Sequence, residues 1–168
     1  MDWLQEQGFD GAEICISDYN GVDVPWLKAE LDRRNLGCST ISTGQSRTRE
    51  GISLLHEGEK LAIAQERMCQ HIDAASVLGS CVTLGLLRGL GEAGHEEQNM
   101  AALAENLQPV IEHASQKGVT IILEAINRYE TSLLNSADAV MEFIERHLGN
   151  PSCVGVLWDL FHSNIEDP

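Results

Sequence analysis

Five times along the chain a turn residue opens a short run rich in β-branched and apolar residues. The runs are GFDGAEICI from Gly8, GCSTIST from Gly37, GSCVTLGLL from Gly79, GVTIILEAI from Gly118 and PSCVGVLWD from Pro151. Each reads as a strand. The segments between them carry the helical period instead: Val24, Leu27 and Leu31 share one face, as do Leu61, Ala64, Met68, Ile72 and Ala75. Met100, Leu103, Leu107, Ile111 and Ala114 form a third stripe, and Val140, Phe143, Ile144 and Leu148 a fourth. Ser136 is placed to cap the last helix and Gly149 to follow it as the C′ residue. MDWLQEQ at the start reads as the tail of a helix. Strand and helix alternating in this way predict βα units around a parallel sheet, built either as an open doubly wound sheet or as a (β/α)8 barrel. The runs VTIIL and VGVLW are continuously apolar, which predicts burial of both faces of those two strands.

Composition narrows the class further. With 168 residues, 43% of them hydrophobic and 22% charged, the chain has the make-up of one globular domain. A chain of this size buries about 70% of the surface that its unfolded form exposes. No stretch approaches the roughly 20 apolar residues of a membrane span, and the N-terminus has neither the basic start nor the apolar middle of a signal peptide. A cytoplasmic location is therefore expected. The five cysteines are an odd number without a C-x-x-C pair, a poor framework for disulfides or zinc. Cys15, Cys38, Cys81 and Cys153 fall in the strand runs and are expected to act as small core hydrophobes. A formal net charge of −15 repels a phosphate backbone and argues against nucleic acid as a partner.

In a parallel sheet, chemistry collects at the carboxyl ends of the strands. VTIIL ends in Glu124, and VGVLW is followed at once by Asp159. Two oxygen ligands on neighbouring strand ends can share one hard divalent cation such as Mn²⁺ or Mg²⁺. The competing structural reading makes them loop acids that pair with a nearby base or cap the next helix, with Arg128 within reach of Glu124. His162, three residues beyond Asp159, is a candidate for the same mouth, while the other five histidines lie on or near helical segments and are read as solvated. Glu13 stands as a substrate contact or as half of a helix–strand salt bridge, the second preferred. GLGEAG, with Gly89, Gly91 and Gly94, is a literal G-x-G-x-x-G after a strand and raises an NAD-dependent oxidoreductase. Against it, HEEQ puts two acids where a pyrophosphate would need positive character, and Glu124 lies farther on than a ribose-binding acid should.

LEAINRYETSLLN and LWDLFHSNIED together resemble two segments of the sugar phosphate isomerase/epimerase family of xylose-isomerase-like TIM barrels, in particular its ketose 3-epimerases of the D-tagatose 3-epimerase type. There the fifth strand carries E-P-x-N-R-[FY]-E and the sixth D-T-F-H-M-N-I-E. The resemblance implies that Glu124 is a metal ligand and one of two acid/base groups, and that Asp159 is a second ligand. It implies that His162 lies beside the substrate and that Glu130 hydrogen-bonds the sugar near its carbonyl end. Asn127 and Arg128 belong to the motif without an assigned role. The implied cofactor is a divalent metal, Mn²⁺ first, with Mg²⁺, Co²⁺ or Zn²⁺ as alternatives. The implied reaction is proton transfer next to a ketose carbonyl through an enediolate, on a sugar or sugar phosphate. Arg47, Arg49, Arg88 and Arg128 stand as phosphate contacts or plain surface charges.

The sequence also departs from the family pattern. Ala125 stands where the family has proline, and Leu160 and Ser163 where it has Thr and Met. The five runs correspond to family strands two to six, so residues 1–168 are expected to form a single incomplete TIM barrel lacking the first strand and the last two, with the His and Glu ligands of the later strands missing. Such a sheet has two open edges, which predicts a homo-oligomer or a complementing chain. The alternatives kept open are a non-catalytic barrel fragment or swapped assembly, the oxidoreductase, and an abasic-site endonuclease, the last opposed by the charge.

Overall fold

The computed structural model describes residues 1–166. Five strands form one sheet in the order β1 to β5: β1 (Gly11–Cys15), β2 (Gly37–Ser42), β3 (Cys81–Leu84), β4 (Ile121–Glu124) and β5 (Val154–Leu157). Every neighbouring pair is parallel. A sheet whose sequential strands are all neighbours winds in one direction, which is the barrel's topology; a doubly wound sheet reverses its strand order instead. All five expected strands are present.

The four expected helices are α2 (Val24–Asp32), α4 (Gly58–Leu78), α5 (Glu96–Lys117) and α6 (Ala137–Arg146), preceded by the short α1 (Asp2–Glu6). Ser136 caps α6, its Oγ accepting from the Ala139 N–H at 3.2 Å. Gly149 takes the left-handed conformation one turn residue later than a C′ position, because α6 ends at Arg146 with His147 as its C-cap. Periodicity did not announce α3 (Gly44–Glu50), the 3₁₀ turn Leu86–Arg88 or α7 (Leu160–Glu166). The first of these, GQSRTRE, has no apolar stripe; it is held by the buried Ser46 and by the ion pair of Glu50 with Arg67 of α4 at 2.6 Å.

Ile41, Val82, Leu84, Ile121 and Leu123 face the helices and are buried against Met68 and Ile72 of α4, Leu103 and Leu107 of α5, and Val140 and Phe143 of α6. The opposite, concave face carries Thr40 and Thr83, whose hydroxyls are 2.8 Å apart, then Ile122 and Glu124. The two faces are not equally covered. Ile122 and all four residues of β5 are only partly buried, so the expected burial of both faces of these strands is corrected. The physical reason is position: β5 is an edge strand among the described residues, and the concave face has no helix layer over it. Of the strand cysteines only Cys38 is buried, Cys81 and Cys153 are half-buried and Cys15 is exposed; all five cysteines are free. Among the described residues no helix is long and apolar enough to cross a membrane.

Candidate metal centre

Side chains along β4 alternate between its faces, so burying Ile121 and Leu123 under the helices turns Glu124 to the concave side at the carboxyl end. Its neighbour β3 ends in Leu84, and the next residue, Gly85, leaves the room its carboxylate occupies: a Cβ there would lie 2.9 Å from Glu124 Oε2. Beneath it, the fully buried guanidinium of Arg88 donates to the Glu124 carbonyl oxygen and, at 3.0 Å, to that of Leu133. One cation thereby ties the strand end to the loop after it. Burial brings the Arg88 pKa down to about 10, with the Glu124 charge opposing the fall.

The Glu124 side chain is only 20% exposed, and among the described residues no donor hydrogen-bonds its carboxylate. Burial pushes its pKa up; the Asp159 charge adds to the rise, and His162 and Arg88 oppose it. A half-buried carboxylate with no donors is costly as an anion unless a proton or a cation joins it. Asp159 lies beyond the end of β5, the strand paired with β4 through Glu124 and Leu157. One Asp159 oxygen accepts from the Phe161 N–H at 2.7 Å and so caps the start of α7. His162 sits in that helix, 8% exposed, with Nε2 3.6 Å from Glu124 Oε1. One ligand atom each from Glu124, Asp159 and His162 lie within 4.8 Å of one another. The two carboxylates therefore face a common point, and Asp159 has two oxygens, of which the cap uses one.

Glu130 stands farther out, 42% exposed, with Oε1 3.8 Å from His162 Nδ1. Between them is Asn127, nearly fully buried, whose Nδ2 donates to Glu130 Oε1 at 2.9 Å and to His162 Nδ1 at 2.7 Å. Sequence reasoning gave Asn127 no role and missed Gly85 altogether. The asparagine was flagged only by its place in the motif, and the glycine had no signal beyond directly following a strand. Ala125, in the family's proline position, donates its N–H to the Leu157 carbonyl at 3.2 Å, a bond proline could not make.

Several expectations are corrected at this mouth. Arg128 pairs with Glu166 at 2.7 Å and not with Glu124. Arg88 is neither a surface charge nor open to a phosphate, being enclosed beneath the loop. Glu13 is exposed and has no ion pair among the described residues; its charge instead reaches Glu124 across the concave face. His71 is fully buried and far from solvated: Nδ1 is 2.9 Å from the Tyr19 hydroxyl and Nε2 3.0 Å from Ser46 Oγ. The glycines of GLGEAG have packing reasons, Gly89 lying against Leu55 and Gly91 against Leu133 and Ser132. The Gly94 N–H, which a phosphate would need, is bonded to Glu96 Oε1 at 2.8 Å.

A divalent cation fits the Glu124–Asp159 pair. Two carboxylates converge, one of them lacks donors, and oxygen ligands suit Mn²⁺ and Mg²⁺. Comparison with known proteins extends this picture. The chain is 28% identical over 169 residues to a ketose 3-epimerase of Arthrobacter globiformis, covering 97% of this chain and 56% of that protein. It is 31% identical over 172 residues to an L-ribulose 3-epimerase of Mesorhizobium japonicum, covering 97% and 54%. A solved L-ribulose 3-epimerase structure superposes with a TM-score of 0.81 at 30% identity, covering 97% of this chain and 54% of that one. The chain thus spans about half the length of the curated relatives it matches. The family model described as the xylose isomerase-like TIM barrel matches residues 1–168, and with five sequential parallel strands and this carboxyl-end mouth the chain belongs to that family.

Proposed function

We propose that this chain carries the metal-holding part of a sugar isomerase or epimerase that moves a proton next to a ketose carbonyl through an enediolate. The observation that carries the reading is the donor-free, half-buried carboxylate of Glu124 facing Asp159 at the carboxyl end of adjacent strands. Ketose and L-ribulose 3-epimerases among the relatives support a ketose as the substrate class. Glu124 and Asp159 would hold the cation, Mn²⁺ by preference for carboxylate oxygen. A cation bound there would supply Lewis acidity to the carbonyl and hydroxyl oxygens of the sugar. Glu124 removes the proton from the carbon beside the carbonyl, a role that its raised pKa suits; inversion at that carbon takes a second acid that delivers a proton from the opposite face. His162 and Glu130 contact the sugar oxygens, His162 from beside Glu124 and Glu130 from the outer rim.

Residues 1–168 read as strands two to six of an eight-stranded barrel, with β1 and β5 as open edges. Among the described residues β1 and β5 form the edges of the sheet, and their unpaired backbone groups favour pairing with further strands. The five free cysteines support the cytoplasm as its location. The test of function is incubation of the chain with Mn²⁺ and D-ketoses or L-ribulose in D₂O. Deuterium incorporation next to the carbonyl, lost in Glu124→Gln, is the expected result. Mn²⁺ binding without any exchange would leave the non-catalytic fragment as the better reading.

A further inference from the structure

We infer that Asn127 is a positioning residue that fixes the His162 ring as the tautomer with its hydrogen on Nε2, which keeps His162 out of the metal's coordination shell and makes it a hydrogen-bond donor to substrate. Two donors converge on Nδ1, the Asn127 side-chain amide at 2.7 Å and the Asn127 backbone N–H at 3.4 Å. The backbone N–H cannot reverse its role. The side-chain amide cannot turn over either, because Oδ1 accepts from the Tyr129 N–H at 3.0 Å and Nδ2 also donates to Glu130 Oε1 at 2.9 Å. Turning it would set donor against donor and acceptor against acceptor. The Nδ1 lone pair is therefore spent and the ring hydrogen lies on Nε2, the nitrogen beside Glu124 Oε1 at 3.6 Å.

The consequence separates two readings of the Glu124, Asp159 and His162 cluster. By distance all three could hold one ion. A metal-bound histidine needs a free lone pair on the ligating nitrogen and commonly donates its other N–H to a neighbouring acceptor. At His162 the nitrogen nearest Glu124 carries the hydrogen, and the other faces donors. The metal falls to the two carboxylates, and Nε2–H points to where a sugar oxygen would approach Glu124. The donor's role rests on the isomerase or epimerase reading; the tautomer does not.

Long-range ¹H–¹⁵N correlation of the full chain reads the tautomer directly, with the His162 signals assigned by their loss in His162→Gln. The expected wild-type pattern is an unprotonated Nδ1 and a protonated Nε2, neither becoming a ligand when Zn²⁺ is added. Asn127→Asp places an acceptor against Nδ1 and is expected to move the hydrogen there, so that Nε2 now binds Zn²⁺. Turnover of a ketose by that variant is expected to drop about ten- to a hundredfold in kcat. A wild-type hydrogen on Nδ1, or Zn²⁺ coordinated by a His162 nitrogen in wild type, overturns the inference. The wild-type spectrum decides even if Asn127→Asp does not fold. The expected tautomer in a chain that exchanges no ketose proton would sink the proposed function, and the substrate-donor role with it, and leave the Asn127-fixed tautomer standing.

Discussion

Two histidines are buried in this molecule, and their surroundings differ in one respect. His71 of α4 closes a chain of bonds: the Tyr19 hydroxyl donates to Nδ1, Nε2–H donates to Ser46 Oγ, and Ser46 Oγ–H donates to the Ser17 carbonyl at 2.8 Å. His162 has the same tautomer, with Nδ1 spent on Asn127, but among the described residues Nε2–H meets no acceptor at bonding distance and faces a carboxylate that has no donor. A polar cluster that satisfies itself locks the β1 loop, α3 and α4 together. One that leaves a donor and an acceptor unspent side by side is arranged for something that arrives from outside.

The largest effect is expected where the open cluster is broken. Glu124→Gln should lower any ketose proton exchange by about 10²- to 10⁴-fold, as for loss of a general base, and abolish Mn²⁺ binding. It should not unfold the protein. The folded pKa of Glu124 lies above its unfolded value, so the group stabilises the fold only below the ordinary carboxylate range, and that contribution is lost as pH rises through the raised pKa. At neutral pH the amide is therefore expected to be neutral to stabilising in denaturant melts.

The closed cluster should behave in the opposite way. His71→Ala strands the Tyr19 hydroxyl and Ser46 Oγ and opens a cavity, and should cost about 2–4 kcal/mol in urea unfolding while leaving Mn²⁺ binding intact. Burial holds the His71 pKa down at about 3. A depressed folded pKa means that this stability is present above the ordinary histidine value near 6.5 and is lost as pH falls from there toward about 3. A urea series at descending pH should show that decline in wild type and its absence in the variant.

Both clusters show how far the residues alone could be read. The strands were legible because glycine or proline opens each run, and the mouth was legible because a parallel sheet gathers strand ends at one place. His71 was misread as solvated although it stands three residues from Met68 and one from Ile72, on the flank of the α4 stripe; a stripe that shifts by one residue takes in a buried polar group without any change of period. Arg88 and Gly85 were illegible for another reason. An arginine after a strand looks the same whether it points to solvent or under a loop, and only the folded loop decides. Asn127 was seen and left without a role because its two partners lie three and 35 residues away.

A smaller perturbation sharpens the contrast by moving one oxygen. Gly85→Ala puts a methyl 2.9 Å from Glu124 Oε2 and 3.7 Å from Ile126 Cδ1, and should weaken Mn²⁺ binding and exchange by about ten- to a hundredfold with little loss of stability. The smallest effect is expected at the rim. Arg128 is largely exposed where it pairs with Glu166, and Arg128→Ala should cost about 1 kcal/mol or less by thermal melt and leave the metal affinity unchanged.

The most direct measurement is calorimetric titration of Mn²⁺ into wild type, Glu124→Gln and Asp159→Asn. One weak site per chain, lost in both variants and kept in His71→Ala, is the predicted result. Binding that survives loss of either carboxylate would contradict a shared cation between the ends of β4 and β5 and, with it, the assignment of this mouth as the working part of the molecule.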